Sequence, residues 1–475
     1  MTATTQRKGS VVLGEGTIAE LEAALRGIVV RPGDADYDEA RAIWNASHNK
    51  YPALIIRCAG TADVLKAVEF ARSQDLPVAV RGGAHSIAGF STVDGGVVID
   101  LSAMRAVTVD PVARRAFVQG GATWREVDHE TQAFGLATTG GLVSSTGVGG
   151  FTLGGGIGWL LRRHGLACDN LVAADVVTSD AELVHASATD HPDLLWALRG
   201  GGGNFGVVTS FELALHPVGP TVTAGLIFFP GDAARSVLRG WRDLTRSAPR
   251  ELTSLVNLTT APPVPFLPQE VHGMPIAAIA LMHCGPLDDG ERAVAPLRAL
   301  AEPILDIVGP MPYVAMQQVL DPLWERGAHN YFTSAFIDTL SDEAIDEVIH
   351  RWQAKPTPQS ELHLHHIGGA MTDVASDVSA FAHRSSPFLC NVIARAGEPH
   401  DFDQRVAWAR DAREAIAVYG TAGVYVNFTG DGDPDKARAA YPPATFARLA
   451  ETKRRYDPDN VFQLNQNIPP APLTE

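Results

Sequence analysis

An α+β fold in two domains is what this sequence predicts, and three observations carry that expectation. The chain has 475 residues, more than one hydrophobic core ordinarily serves, so it divides. Up to about residue 215, short apolar strands interleave with amphipathic helices and glycine-rich turns. From about Thr221 the pattern changes to short apolar segments separated by helices, which describes an antiparallel sheet with helices covering one face.

Ile18–Leu25 and Thr61–Ala71 carry apolar residues at helical spacing and are predicted as helices, each opened by a threonine cap at Thr17 and Thr61. Ala53–Arg57 and Val78–Val80 are short strands, and Leu171–Val177 and Gly206–Leu213 supply later ones. In the second part, Ala224–Phe229 and Ala277–His283 are strands and Asp342–Gln353 is a helix.

Composition excludes several function classes. Hydrophobic residues make up 45% and charged residues 19%, as in a globular enzyme rather than a disordered or coiled-coil chain. A net charge of −16 argues against binding nucleic acid, whose phosphates need a basic surface. No apolar run reaches the roughly 18 residues of a membrane span. The polar start Met1–Ser10 precedes no hydrophobic stretch, so no secretory signal is expected and the cytoplasm is the expected location. Cys58, Cys168, Cys284 and Cys390 lack metal or redox spacing and are expected to be reduced thiols.

Two glycine-rich stretches carry the chemistry. Arg81-Gly82-Gly83-Ala84-His85-Ser86 follows one apolar run and precedes another, Gly96–Leu101, so it is a tight loop between strands. Adjacent glycines let backbone N–H groups converge on a phosphate with no Cβ in the way, and Arg81 adds positive charge; a diphosphate suits such a loop. The second stretch, Gly140–Gly158, holds nine glycines in nineteen positions. It lacks the Lys-Ser/Thr of a Walker A loop, and Gly147-Val148-Gly149 alone, without a clear preceding strand, is a weak dinucleotide motif.

Five segments in order resemble the berberine-bridge-enzyme-like branch of the vanillyl-alcohol-oxidase flavoproteins: the His85 turn, Ser145–Leu160, Arg163–Asn170, Leu195–Val208 and Tyr456–Phe462. The resemblance covers most of the chain. It implies a two-part PCMH-type FAD-binding domain over residues 1–215, with its core at about 48–217. A substrate domain over 216–420 follows, and a closing segment over 421–475 returns to the first domain. It also implies FAD held by Arg81, Gly82, Gly83, Ala84, Ser86 and covalently by His85. Further cofactor contacts are implied at Gly140, Gly141, Val143, Ser144, Ser145, Thr146, Gly147, Gly149, Gly150, Gly154 and Gly156, and at Val207, Val208, Tyr425, Asn427 and Asn467. A tether of that kind raises the flavin potential and favours difficult hydride abstraction. Relatives with a second, cysteinyl tether carry the cysteine where this chain has Val143, so one tether is expected and Cys168 is a small buried apolar residue. Thr146 falls where the resemblance puts the reactive flavin edge; its hydroxyl could bond the flavin or reduced oxygen, or its own loop.

For the catalytic base, alternation along Glu361–His366 puts Glu361, His363 and His365 on one face with Leu362, Leu364 and His366 on the other. Either a proton-accepting face or a solvated strand face fits that pattern. A metal does not, because no third ligand is evident. The position of a glutamate base in plant members falls in Phe388–Ala394, which has no acid, and a histidine of some relatives is replaced by Phe428. Tyr425 is the second candidate for proton handling, with an ordinary strand tyrosine as the alternative.

Taken together, these features describe a monocovalent FAD oxidase acting on a small secondary-metabolite-like alcohol or amine, with dioxygen as acceptor, hydrogen peroxide as product, and a monomer or homodimer as the expected state. A dehydrogenase, a flavin-dependent oxygenase and a drug-binding resistance flavoprotein are the alternatives.

Overall fold

The computed structural model describes residues 13–265, 267–398, 400–421, 423–432 and 434–472. Met1–Ser10, on which the signal-peptide expectation rests, lies outside the described residues.

Three main sheets form the scaffold. The first has the strand order Ile28–Val30, Leu54–Arg57, Val97–Asp100, Val78–Arg81, with the last three parallel. Parallel strands are covered on both faces and read as continuous apolar runs; Val97, Val98 and Ile99 accordingly have no exposure. The helix Thr61–Ser73 covers them with Val64, Ala67, Val68 and Ala71. The threonine caps are corrected here: Gly60 and Gly14 occupy the cap positions, without side-chain cap bonds, and the first helix runs Glu15–Ala24. Asp63 does the joining instead, accepting the N–H groups of Arg26 at 3.0 Å, Gly27 at 2.9 Å and Ala59 at 2.8 Å.

The second sheet is antiparallel, in the order Val107–Asp110, Arg115–Gln119, Val207–Ala214, Leu171–Val177, Leu183–Ala186. Its core includes Phe211, Trp196 and Val176, and the C-terminal residues Leu449, Tyr456 and Ile468 pack into it. A fully buried Lys453 holds that return in place: its Nζ donates to Asn204 O at 2.7 Å, Phe462 O at 3.0 Å and Asp457 Oδ2 at 2.6 Å. A buried ammonium is tolerable only when paired and hydrogen-bonded in this way.

The third sheet has eight strands, all antiparallel. Leu305–Asp306, Thr221–Pro230, Pro275–His283, Leu252–Thr260, Glu361–His366, Phe388–Ala396 and His329–Ile337 run in that order, and Gly309–Pro312 adds to Thr221–Pro230. Helices Ala234–Thr245, Leu287–Arg298, Asp342–Gln353 and Phe402–Ala417 cover one face through Trp241, Val294, Val348 and Ala409. Its other face presents Leu255, Phe332 and Ile393 to a cluster that includes Trp44 and Trp159 of the first part. Tyr425 does not sit in a strand: it precedes a single 3-10 turn, Val426–Phe428.

Candidate active site

The two glycine motifs meet where strand Val78–Arg81 ends. A Cβ on Gly83 would lie 2.4 Å from Gly147 N, and one on Gly147 would lie 2.4 Å from Gly83 N, so only glycines allow the loops to touch. Ala84 follows with φ +58°, a left-handed conformation that turns the next side chain inward. Trp44 N–H donates to Ala84 O at 3.0 Å and fixes that turn.

His85 is held on two sides. Its Nε2 lies 2.9 Å from Ser145 Oγ, and the Trp44 ring stacks on it with centroids 5.0 Å apart and an 18° tilt. Burial, then the charge of Arg326, pushes the imidazole down to about 4. It is therefore neutral near pH 7, with a lone pair available as a nucleophile.

A cavity of about 370 Å³ opens beside this histidine. Gly82, Gly83, Ala84, His85 and Ser86 form one wall, and Val143, Thr146, Gly147, Gly149, Gly150 and Gly154 another. Val208 and Asn427 also line it. Gly150 and Gly203 lie on the wall, and a Cβ added to either meets nothing within 4 Å, so the wall is a glycine cradle that side chains would fill. Those residues fit FAD: backbone N–H groups and open glycines for a diphosphate, and a neutral histidine beside them.

Several residues expected to contact the cofactor do not line this cavity. The Arg81 guanidinium is turned to the carbonyls of Ala40, Arg41 and Ser91, so its charge braces the strand rather than facing the cavity. Ser144 donates its N–H to Asp321 at 2.8 Å. Gly140 packs on Trp124, and its carbonyl oxygen would lie 1.8 Å from a Cβ on Gly158; Gly141 also packs on Trp124. Val207 belongs to the apolar core of the first sheet. Ser145 reaches the site through His85, and Asn467 adjoins the wall residue Gln466 with its Oδ1 buried and unpartnered.

Tyr425 is likewise not on the wall. Its hydroxyl accepts the N–H of Gly156 at 2.8 Å and of Ile157 at 3.2 Å, and the Asn427 amide at 3.0 Å. Burial raises its pKa. With three donors aimed at one oxygen, the phenol shapes the Gly154–Ile157 turn.

The same cavity is reached by the strand Glu361–His366. All six residues are buried, so the solvated-face alternative is overturned. Leu362 and Leu364 enter the helix-covered core, and His366 accepts from Arg162 at 2.8 Å. His363 and His365 line the cavity. Glu361 stands one step behind: its Oε1 lies 3.0 Å from His363 Nε2, without aligned hydrogen-bond geometry, and its Oε2 accepts from Asn257 at 3.0 Å. Burial opposes ionisation of Glu361, but the adjacent His363 imidazole and the hydrogen bond from Asn257 hold it at about 2. Burial, then His363, pushes His365 down to about 3. The site thus sets a neutral imidazole beside a carboxylate–imidazole pair.

Sequence reasoning did not find Asn391, which pairs in register with His363, lines the cavity and has a buried, unpartnered Oδ1. The signal was present: it occupies the strand searched for an acid. Trp44, Trp324 and Phe332 also line the cavity; Trp44 had no motif around it. Cys168 is buried, its thiol pushed well up by burial and Asp169, and it is not on the wall, whereas Val143 is.

The chain is similar to known flavoproteins along most of its length. The FAD binding domain family matches residues 52–187, and the berberine and berberine-like family matches residues 424–469. An FAD-linked oxidoreductase of Bacillus subtilis is 33% identical over 94% of this chain and 97% of its own length. The (R)-6-hydroxynicotine oxidase of Paenarthrobacter nicotinovorans is 30% identical over 94% and 97%. The crystal structure of 6-hydroxy-D-nicotine oxidase from Arthrobacter nicotinovorans superposes with a TM-score of 0.85 at 27% identity, covering 94% of this chain and 98% of that one.

Proposed function

Because the chain belongs to the berberine-bridge-enzyme-like FAD-linked oxidoreductases, we propose that it is an oxidase carrying FAD covalently on His85. It acts on a small secondary-metabolite-like alcohol or amine and uses dioxygen as acceptor, with hydrogen peroxide as product. The observation that carries this reading is a neutral His85 that shares one cavity with His363 and His365.

FAD, held there, would supply a hydride acceptor whose electron pair dioxygen can take. The protein supplies the rest. Gly82, Gly83, Gly149 and Gly150 bring backbone to the diphosphate. Ser145 and Trp44 hold the His85 ring for bond formation. His363 takes the substrate proton; with Nε2 against Glu361, its Nδ1 is the nitrogen available to substrate, and the carboxylate stabilises the imidazolium that results. His365, kept neutral by burial, and Asn391 orient the reacting group. Thr146 faces the cavity with a hydroxyl that bonds none of the described residues, and we assign it to the oxygen side of the site.

Among the described residues no helix is long and apolar enough to cross a membrane. The four cysteines are free thiols, as a reducing compartment favours, and we take the enzyme to work in the cytoplasm as a monomer or homodimer.

Anaerobic mixing with a panel of metabolites, read as bleaching of the flavin, followed by oxygen uptake and peroxide assay, tests this function. Tight binding without bleaching favours a sequestering protein, and bleaching without oxygen uptake favours a dehydrogenase.

A further inference from the structure

Among the described residues the cavity wall carries no aspartate, glutamate, lysine or arginine. Charged groups behind the wall make contacts of their own, although Arg395 Nε has no hydrogen-bond partner. Arg395 lies over the Trp324 ring at 4.8 Å and donates to Leu323 O. Arg326 donates to the carbonyls of Ala42 and Ile43. Asp321 accepts from Ser144 and from Arg125. Glu361 is covered by His363 and Asn257, and the cations Lys355 and Arg395 interact with it.

What the wall offers beside the histidine strand is flat and apolar: Trp324, Phe332, Phe428 and Ile393. Set into those surfaces are Asn391 Oδ1 and His365 Nε2, buried atoms with no protein partner. Buried polar atoms demand partners, and a ligand hydroxyl can both donate and accept. A cation brought here would leave water with no carboxylate on the wall to receive it.

We propose that the substrate is an uncharged, flat hydroxyl compound, a neutral aromatic alcohol and not a cationic amine; this rests on the oxidase reading above. The hydroxyl proton goes to His363, the carbon becomes a carbonyl as its hydride leaves with the bonding pair, and dioxygen takes up two electrons and two protons to become hydrogen peroxide.

The test uses the holoenzyme, kept anaerobic, with 2-naphthylmethanol and 2-naphthylmethylamine as a matched pair and perturbation of the flavin spectrum as the binding readout. At about pH 7 the alcohol should bind at least about tenfold tighter than the protonated amine, and the gap should close as the amine is deprotonated. Asn391→Asp, which puts a carboxylate on the wall, should reverse the preference by about tenfold. Equal or tighter binding of the amine by the unaltered enzyme at pH 7 overturns the proposal, and so does the absence of any perturbation by either compound. The oxidase reading is checked separately by photoreducing the flavin and measuring peroxide on admission of oxygen, so each reading can fail without the other.

Discussion

His85 Nε2 and Ser145 Oγ lie 2.9 Å apart, so two glycine-rich turns separated by 60 residues of sequence are joined by a hydrogen bond as well as by backbone contact. With Trp44 stacked on the face of the ring, the imidazole has little freedom to turn. That restriction is what a single-point covalent attachment requires.

His85→Ala should abolish attachment of flavin, and Ser145→Ala or Trp44→Ala should slow it several-fold while leaving FAD bound. Cys168→Ala should change nothing, because that thiol is buried off the wall. The check is flavin fluorescence of the protein band on a denaturing gel at timed intervals after adding FAD to apoprotein; flavin mapped to Cys168 by peptide mass would refute the assignment.

His363→Ala should slow flavin reduction by roughly 10²–10⁴-fold, the usual range for loss of a general base. Glu361→Gln should cost less and shift the acid limb of the reduction rate, since it removes the charge that stabilises the imidazolium. Stopped-flow reduction across pH separates the two. An Ala variant at His363 within a few-fold of the parent would move the base to His365.

Stability should fall with acid. His365 and His366 are held neutral by burial, each near 3 against an ordinary 6.5. Between those values the unfolded chain binds more protons than the folded one, so stability rises with pH in that window and is lost as pH falls. Each histidine costs about 2 kcal/mol between pH 7 and 5 at 1.36 kcal/mol per unit. Asp128 has the opposite sign: burial raises it to about 7 despite the hydrogen bond from Gln317, so its contribution is lost as pH rises towards and through 7. Asp128→Asn should therefore raise Tm at about pH 8 and steepen the acid limb in calorimetric scans.

Thr146→Val keeps nearly the same shape and removes the hydroxyl. Reduction by substrate should be unchanged, and reoxidation by dioxygen should change by roughly ten- to a hundredfold if the hydroxyl bonds an oxygen species, as a bond of about 1.5–3 kcal/mol implies. Identical half-reactions and spectra would make Thr146 a loop residue and remove the main support for oxygenation.

Sequence by itself determined the α+β class, the His85 turn followed by a glycine run, and the strand that carries Glu361, His363 and His365, because each is a local pattern: turn chemistry, small residues in a row, or a period of two. Tertiary structure decided which members of those patterns face the cavity. Arg81 and Tyr425 look functional in sequence, yet their polar groups are taken by the carbonyls of Ala40, Arg41 and Ser91 and by the amides of Gly156 and Ile157. Trp44 and Asn391 have no motif around them and enter the site through ring stacking on His85 and strand register with His363. The physical reason is that a hydrogen-bond partner distant in the chain is set by packing, and only packing says whether a polar side chain is already satisfied when the substrate arrives.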